Sequence, residues 1–224
     1  MGIRPAHILL VICIPTLTYA APAAKEAGRA YLDLQPLGTH KLADDSPSGM
    51  AGNNLAGVPT GEKEFGGVKF QVGEKYLQLA SPNFKDEKPE KVEGIKVGRS
   101  FNKLHILHAT GYGSSPAGST KHVPDDTLIA EYRIQYEGGE TATVEVAYGK
   151  DVRDYWFRNG SPGVSRGKVA WEGDCDAAKK LDCRVRLYLT TWENPKPGKR
   201  VTAIDFIRKP DTAAAPLCVG LTVE

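Results

Sequence analysis

Between residues 127 and 148, apolar and polar positions alternate with a period of two. Leu128, Ala130, Tyr132, Ile134 and Tyr136 interleave with Ile129, Glu131, Arg133 and Gln135, and beyond Gly138-Gly139 the pattern resumes through Ala142, Val144, Val146 and Tyr148. Such alternation sends successive side chains to opposite faces of a strand, so the stretch predicts an antiparallel hairpin with one buried face. Parity also constrains the turn. A two-residue loop would set Ile134 opposite Thr143 and Tyr132 opposite Glu145, mixing the faces. A three-residue loop, Glu137-Gly138-Gly139 with Gly139 left-handed, pairs Tyr132 with Val144 and Ile134 with Ala142, though it sets Glu131 against Glu145. A register further along would set Arg133 against Glu145, which charge favours and turn chemistry does not. The first register is preferred.

Similar short runs recur along the chain. Strands are predicted at 67–72, 76–80, 91–97, 103–109, 168–172, 184–192, 201–209 and 217–224, with an edge segment at 31–37 and a short strand or bend at 152–157. Within 184–192, Val185, Leu187 and Leu189 share one face and Arg186, Tyr188, Thr190 and Trp192 the other. The stretches 38–61 and 111–124 read as loops, and no helical period runs beyond two turns. With 24 Gly and 15 Pro spread among these runs, the expected fold is all-β, an antiparallel β-sandwich with a jelly-roll arrangement as its leading variant.

The first residues belong to a different pattern. Arg4, an apolar run from His7 to Leu17, and small residues at Thr18-Tyr19-Ala20 or Ala21-Pro22-Ala23 read as a secretory signal over residues 1–21. The run is too short for a transmembrane segment. A linker over 22–30 and a single domain over 31–224 follow, and the expected location is secreted or periplasmic. The chain carries 29 Lys and Arg against 27 Asp and Glu, a balance that argues against a nucleic-acid partner. Export also predicts a disulfide between Cys175 and Cys183 across a short polar loop. Cys218 reads as a small buried residue, or as an alternative partner for Cys183.

The blocks Asn54-Leu55-Ala56-Gly57-Val58-Pro59, Phe65-Gly66-Gly67-Val68-Lys69-Phe70, Gly94-Ile95-Lys96-Val97, Leu104-His105-Ile106-Leu107-His108-Ala109, Tyr148-Gly149-Lys150-Asp151-Val152-Arg153-Asp154-Tyr155-Trp156 and Thr191-Trp192-Glu193-Asn194-Pro195 resemble a family of secreted bacterial modules. These are galactose-binding-like β-sandwiches related to the novel putative carbohydrate-binding modules. The resemblance runs from about Tyr31 to Glu224, and the insert from Cys175 to Cys183 departs from it. It implies recognition of an extracellular glycan without a catalytic motif. It also implies that Ca²⁺ could be held by loop oxygens, for which Asp33, Asn53 and Asn54 are the suitable hard donors.

Aromatic residues supply the candidate site. Sugar rings present apolar C–H faces that stack on flat side chains, while their hydroxyls need polar partners at the rim. Tyr155, Trp156 and Phe157, with Trp171, Trp192 and Tyr112, are the candidate floor, and Asp151, Arg153, Asp154 and Asn159 are the candidate rim. The alternative for each tryptophan is a place in the core. His105 and His108 stand three apart in a strand and so face opposite ways, which excludes shared zinc ligation. Two further functions remain open at this point. One is a structural or protein-interaction module of the cell envelope, and the other a glycoside hydrolase using Glu131 and Glu145.

Overall fold

The computed structural model of the chain describes residues 1–2, 28–114 and 122–224. The signal expected over 1–21 lies outside the described residues except for 1–2, and the linker expected over 22–30 except for 28–30, of which Ala30 already belongs to the first strand. Among the described residues no helix is long and apolar enough to cross a membrane. Among the described residues strand accounts for 47% and helix for 4%, with antiparallel sheets, so the fold is all-β.

Among the described residues fourteen strands run in order: β1 (Ala30–Leu32), β2 (His40–Lys41), β3 (Gly61–Phe65), β4 (Val68–Val72), β5 (Lys75–Gln78), β6 (Lys91–Arg99), β7 (Lys103–Ala109), β8 (Leu128–Tyr136), β9 (Thr141–Ala147), β10 (Trp156–Phe157), β11 (Lys168–Gly173), β12 (Arg184–Glu193), β13 (Val201–Arg208) and β14 (Leu217–Val223). One short helix, α1 (Asp176–Lys180), precedes β12. The larger sheet has the order β10-β12-β7-β14-β5-β2, with β11 added to β12 and β1 to β14. A second sheet has the order β6-β13-β8-β9, and β3-β4 form a separate hairpin.

The hairpin of β8 and β9 adopts the preferred register. Tyr132 pairs with Val144, Ile134 with Ala142 and Glu131 with Glu145, and both Gly138 and Gly139 take positive φ in the loop, a region costly to any side chain bearing a Cβ. The two facing glutamates do not share a fate. Glu145 is exposed, whereas Glu131 is buried and paired with Lys209 Nζ at 2.5 Å and Arg133 Nη2 at 3.0 Å. Hydrogen bonds and charge from Lys209, then Arg133, hold its carboxyl below the ordinary range against burial.

The two larger sheets touch at Tyr132, which stacks on Phe206 of its own sheet (centroids 4.6 Å apart) and approaches His108 of β7 at 6.3 Å. His108 donates or accepts at Thr190 Oγ1 over 2.9 Å, and His105 meets Thr191 Oγ1 at 2.8 Å and Glu224 at 3.4 Å. Each histidine is thus committed to a different set of partners. β14 is buried along its whole length, because its other face lies under the β3-β4 hairpin, where Thr222 Oγ1 donates to the Lys69 carbonyl at 2.8 Å. The alternation seen in isolated strands cannot report such double cover. β2 falls within the stretch read as loop, and β3 begins at its last residue, Gly61.

Cys175 and Cys183 correct the expected disulfide: both are buried free thiols, as is Cys218. The segment between them closes by helix formation instead. Lys179 N–H donates to the Cys175 carbonyl at 3.0 Å and Cys183 N–H to the Ala178 carbonyl at 2.9 Å. Asp176 stands in the first turn and Lys179 and Lys180 in the last, each where the helix dipole favours its charge. The Cys183 thiol points to the Leu181 carbonyl at 3.4 Å.

Candidate functional site

The segment that follows β9 turns at Tyr148–Val152 and runs into β10, and it carries five of the candidate residues, Asp151, Arg153, Asp154, Tyr155 and Trp156. Its alternate side chains go to different places. Asp151 is wholly buried, with Oδ2 accepting the Ala147 N–H at 2.8 Å and the carboxylate gripping Arg166 through Nε at 2.6 Å and Nη2 at 2.5 Å. Arg153 is spent on the Asp125 carboxylate and the Gly163 carbonyl, both at 2.6 Å, and lies over the Tyr148 ring. Neither forms the rim expected of it: both secure the loop.

Tyr155 and Trp156 do come together with Tyr112. Among the described residues they line one cavity of about 270 Å³ with Ser48, Met50, Asn53, Ser114 and Asp154. Tyr155 and Trp156 meet edge to face with centroids 6.5 Å apart, and Tyr112 is set by an edge contact with Phe84 at 5.9 Å. Tyr112 holds φ at 59°, a left-handed conformation that costs a side chain about 1–2 kcal/mol. Such strain at a cavity wall is a recurrent feature of ligand sites.

Asn53 is the organising polar group. Its Oδ1 accepts the Tyr155 hydroxyl at 2.8 Å and the Trp156 indole N–H at 3.0 Å. The loop before it is pinned by Ser46 N–H to the Asn53 carbonyl at 2.6 Å and Asn53 N–H to the Met50 carbonyl at 3.1 Å. Two donors converge on Oδ1, so a cation cannot take the same lone pairs. Asp33 instead accepts the Gln35 N–H at 2.9 Å, and Asn54 Oδ1 the Ala56 N–H at 3.2 Å. Asp33 lines a different hollow, with Tyr31 and Gln71. The three expected Ca²⁺ donors therefore do not fit one ion, and among the described residues no group of three or more His, Cys, Asp or Glu could hold a metal. The side chain read as a metal donor serves the aromatic cavity.

Asp154 is the buried carboxylate of this cavity. It accepts the Tyr148 hydroxyl at 2.7 Å and the Gly113 N–H at 3.0 Å. Burial raises its carboxyl above the ordinary range, and the bonds from Tyr148, Gly113 and Ser114 partly oppose the rise. Of the four rim candidates in the sequence, Asp151, Arg153, Asp154 and Asn159, only Asp154 lines this cavity. The signal that could have singled it out is parity: in an extended stretch Asp154 shares a face with Trp156 and not with Asp151.

Trp192 lies elsewhere. It is half-buried near the end of β12 and lines a separate cavity with Thr143, Glu145 and Arg166. Trp171 belongs to neither cavity, its ring lying over Gly173 and Gly57. The chain matches no protein-family model, and no curated protein or solved structure matches it significantly.

Proposed function

We propose that the chain is a noncatalytic carbohydrate-binding module, a galactose-binding-like β-sandwich of the exported kind, that seats a sugar ring between Tyr112, Tyr155 and Trp156. The observation that carries this reading is the convergence of three aromatic rings, Tyr112 from one segment and Tyr155 and Trp156 from another, on one cavity that also holds Asn53 and Asp154. Rings supply the apolar floor that C–H faces need, while the Asp154 carboxyl and the Asn53 amide offer complementary polar atoms. A volume near 270 Å³ lies at the small end for ligand pockets, which suits one ring of a chain end better than a long stretch of polysaccharide.

The hydrolase reading is weaker for a stated reason. A general acid needs a raised carboxyl, and Lys209 and Arg133 draw Glu131 the other way. The envelope-interaction reading has less to stand on, since among the described residues the exposed large apolar side chains, Met1, Met50, Leu128, Val169 and Leu181, come from five separate segments. Calorimetric titration with a panel of neutral oligosaccharides tests the proposal. Saturable heat that disappears in Trp156→Ala, with the far-ultraviolet circular dichroism unchanged, is expected; a panel without response overturns it.

A further inference from the structure

The cavity at Trp192 is unused by the proposed site and shares no lining residue with it. It lies between Thr143, Val144 and Glu145 of β9 and Thr190, Thr191 and Trp192 of β12, with Arg166 completing its lining, and its volume is about 250 Å³. Thr143, Glu145 and Arg166 are exposed and Trp192 is half-buried, so an aromatic face, two charged groups and a hydroxyl surround one small space.

Arg166 is held unusually firmly for an exposed side chain. The buried Asp151 carboxylate binds its Nε and Nη2, and Nη2 also donates to the Glu145 carbonyl at 3.1 Å. Those contacts leave out Nη1. The backbone beneath is equally fixed, because at Gly167 a Cβ would stand 2.4 Å from the Asp151 carbonyl oxygen, closer than real side chains approach. A guanidinium locked in this way donates without losing rotamer freedom on binding.

From this geometry we infer a second glycan site, in which a neutral hexopyranose ring stacks on Trp192 while Arg166 Nη1 and the Glu145 carboxylate take neighbouring hydroxyls. The inference rests on the carbohydrate reading above and adds to it a second point of attachment. A neutral ring is favoured over an acidic one because Asp151 already neutralises Arg166, leaving Glu145 to repel an anion. Two sites on one domain would let it hold two chain ends, with affinity for a multivalent glycan surface exceeding that for a free sugar.

The chain has three tryptophans, so labelling with 5-fluorotryptophan gives one fluorine resonance for each of Trp156, Trp171 and Trp192. Titration with lactose and with cellobiose should move the Trp156 and Trp192 resonances along separate saturation curves and leave Trp171 in place. Glu145→Gln, a change at an exposed side chain, should weaken the Trp192 curve at least about fivefold and leave the Trp156 curve unchanged. Movement of Trp156 alone would overturn the second site and spare the first. No movement of either resonance would overturn both. A Trp192 curve indifferent to Glu145→Gln would overturn the assigned contacts.

Discussion

Replacing Asn53 by alanine removes the single oxygen that accepts from both Tyr155 and Trp156. Asn53 is 6% exposed, so its two partners lose a buried acceptor and not a solvated one. Leaving a buried donor unpaired costs about 1–3 kcal/mol. The lower end applies here, since Tyr155 and Trp156 are half-buried beside a cavity that water can enter. Ser46 also reaches the Tyr155 hydroxyl, which offsets part of that loss. A total of about 2 kcal/mol follows, equivalent to a fall of roughly 4–8 °C in melting temperature for a domain of this size. The backbone bonds of Ser46 and Asn53 do not involve the side chain, so the loop keeps its path. Asn53→Asp preserves an acceptor for both donors and should recover most of the midpoint. Differential scanning calorimetry of the three proteins decides the matter. A change below about 1 °C in Asn53→Ala would refute the view that this amide organises the aromatic wall.

Three other outcomes follow from the same geometry. Tyr112→Gly relieves a left-handed backbone and removes one wall of the cavity, so equilibrium unfolding in urea should show stability held or raised by up to about 1 kcal/mol while glycan affinity falls. His108 is buried beside Thr190, and burial lowers its pKa from 6.5 to about 4. Because its folded-state pKa is depressed, the folded chain stays neutral where the unfolded chain takes a proton. The contribution of His108 is therefore whole above pH 6.5 and lost as pH falls toward 4, a loss of about 3 kcal/mol that urea unfolding across this range should show and that His108→Asn should diminish. Reductant should leave the melting temperature unchanged, and mass mapping of unreduced peptides should find Cys175 and Cys183 as thiols; a bridged peptide would contradict the helix-closed loop.

What the sequence disclosed was governed by local parity. The period-two pattern and the paired glycines were enough to set the register of β8 and β9, because both are properties of neighbouring residues. The face shared by Leu104, Ile106 and His108 followed from the same rule. Burial on both sides of β14 did not, since it depends on the β3-β4 hairpin folding over from far away in the chain. Nor could parity separate Trp192 from Trp156. Val185, which pairs with Trp156, lies at the other end of β12 from Trp192, which pairs with Leu104; that arrangement is a property of sheet order. The residues 38–61, judged a loop by their Gly, Asn and Ser content, turned out to deliver Asn53 to two aromatic donors. Composition identified an irregular segment, but only tertiary structure decides whether an amide oxygen there meets a cation or an N–H. In the Cys175–Cys183 segment the cysteine spacing suggests a bridge, while the helical preference of Ala177 and Ala178, flanked by well-placed charges, is the local signal that matches the fold.

Mapping amide chemical-shift changes in ¹⁵N-labelled protein during titration with a neutral oligosaccharide tests the central claim most directly. The account predicts saturable shifts centred on Asn53, Gly111, Tyr112 and the run from Asp154 to Trp156. Saturable shifts that leave these residues untouched, or none with any sugar of the panel, would contradict it.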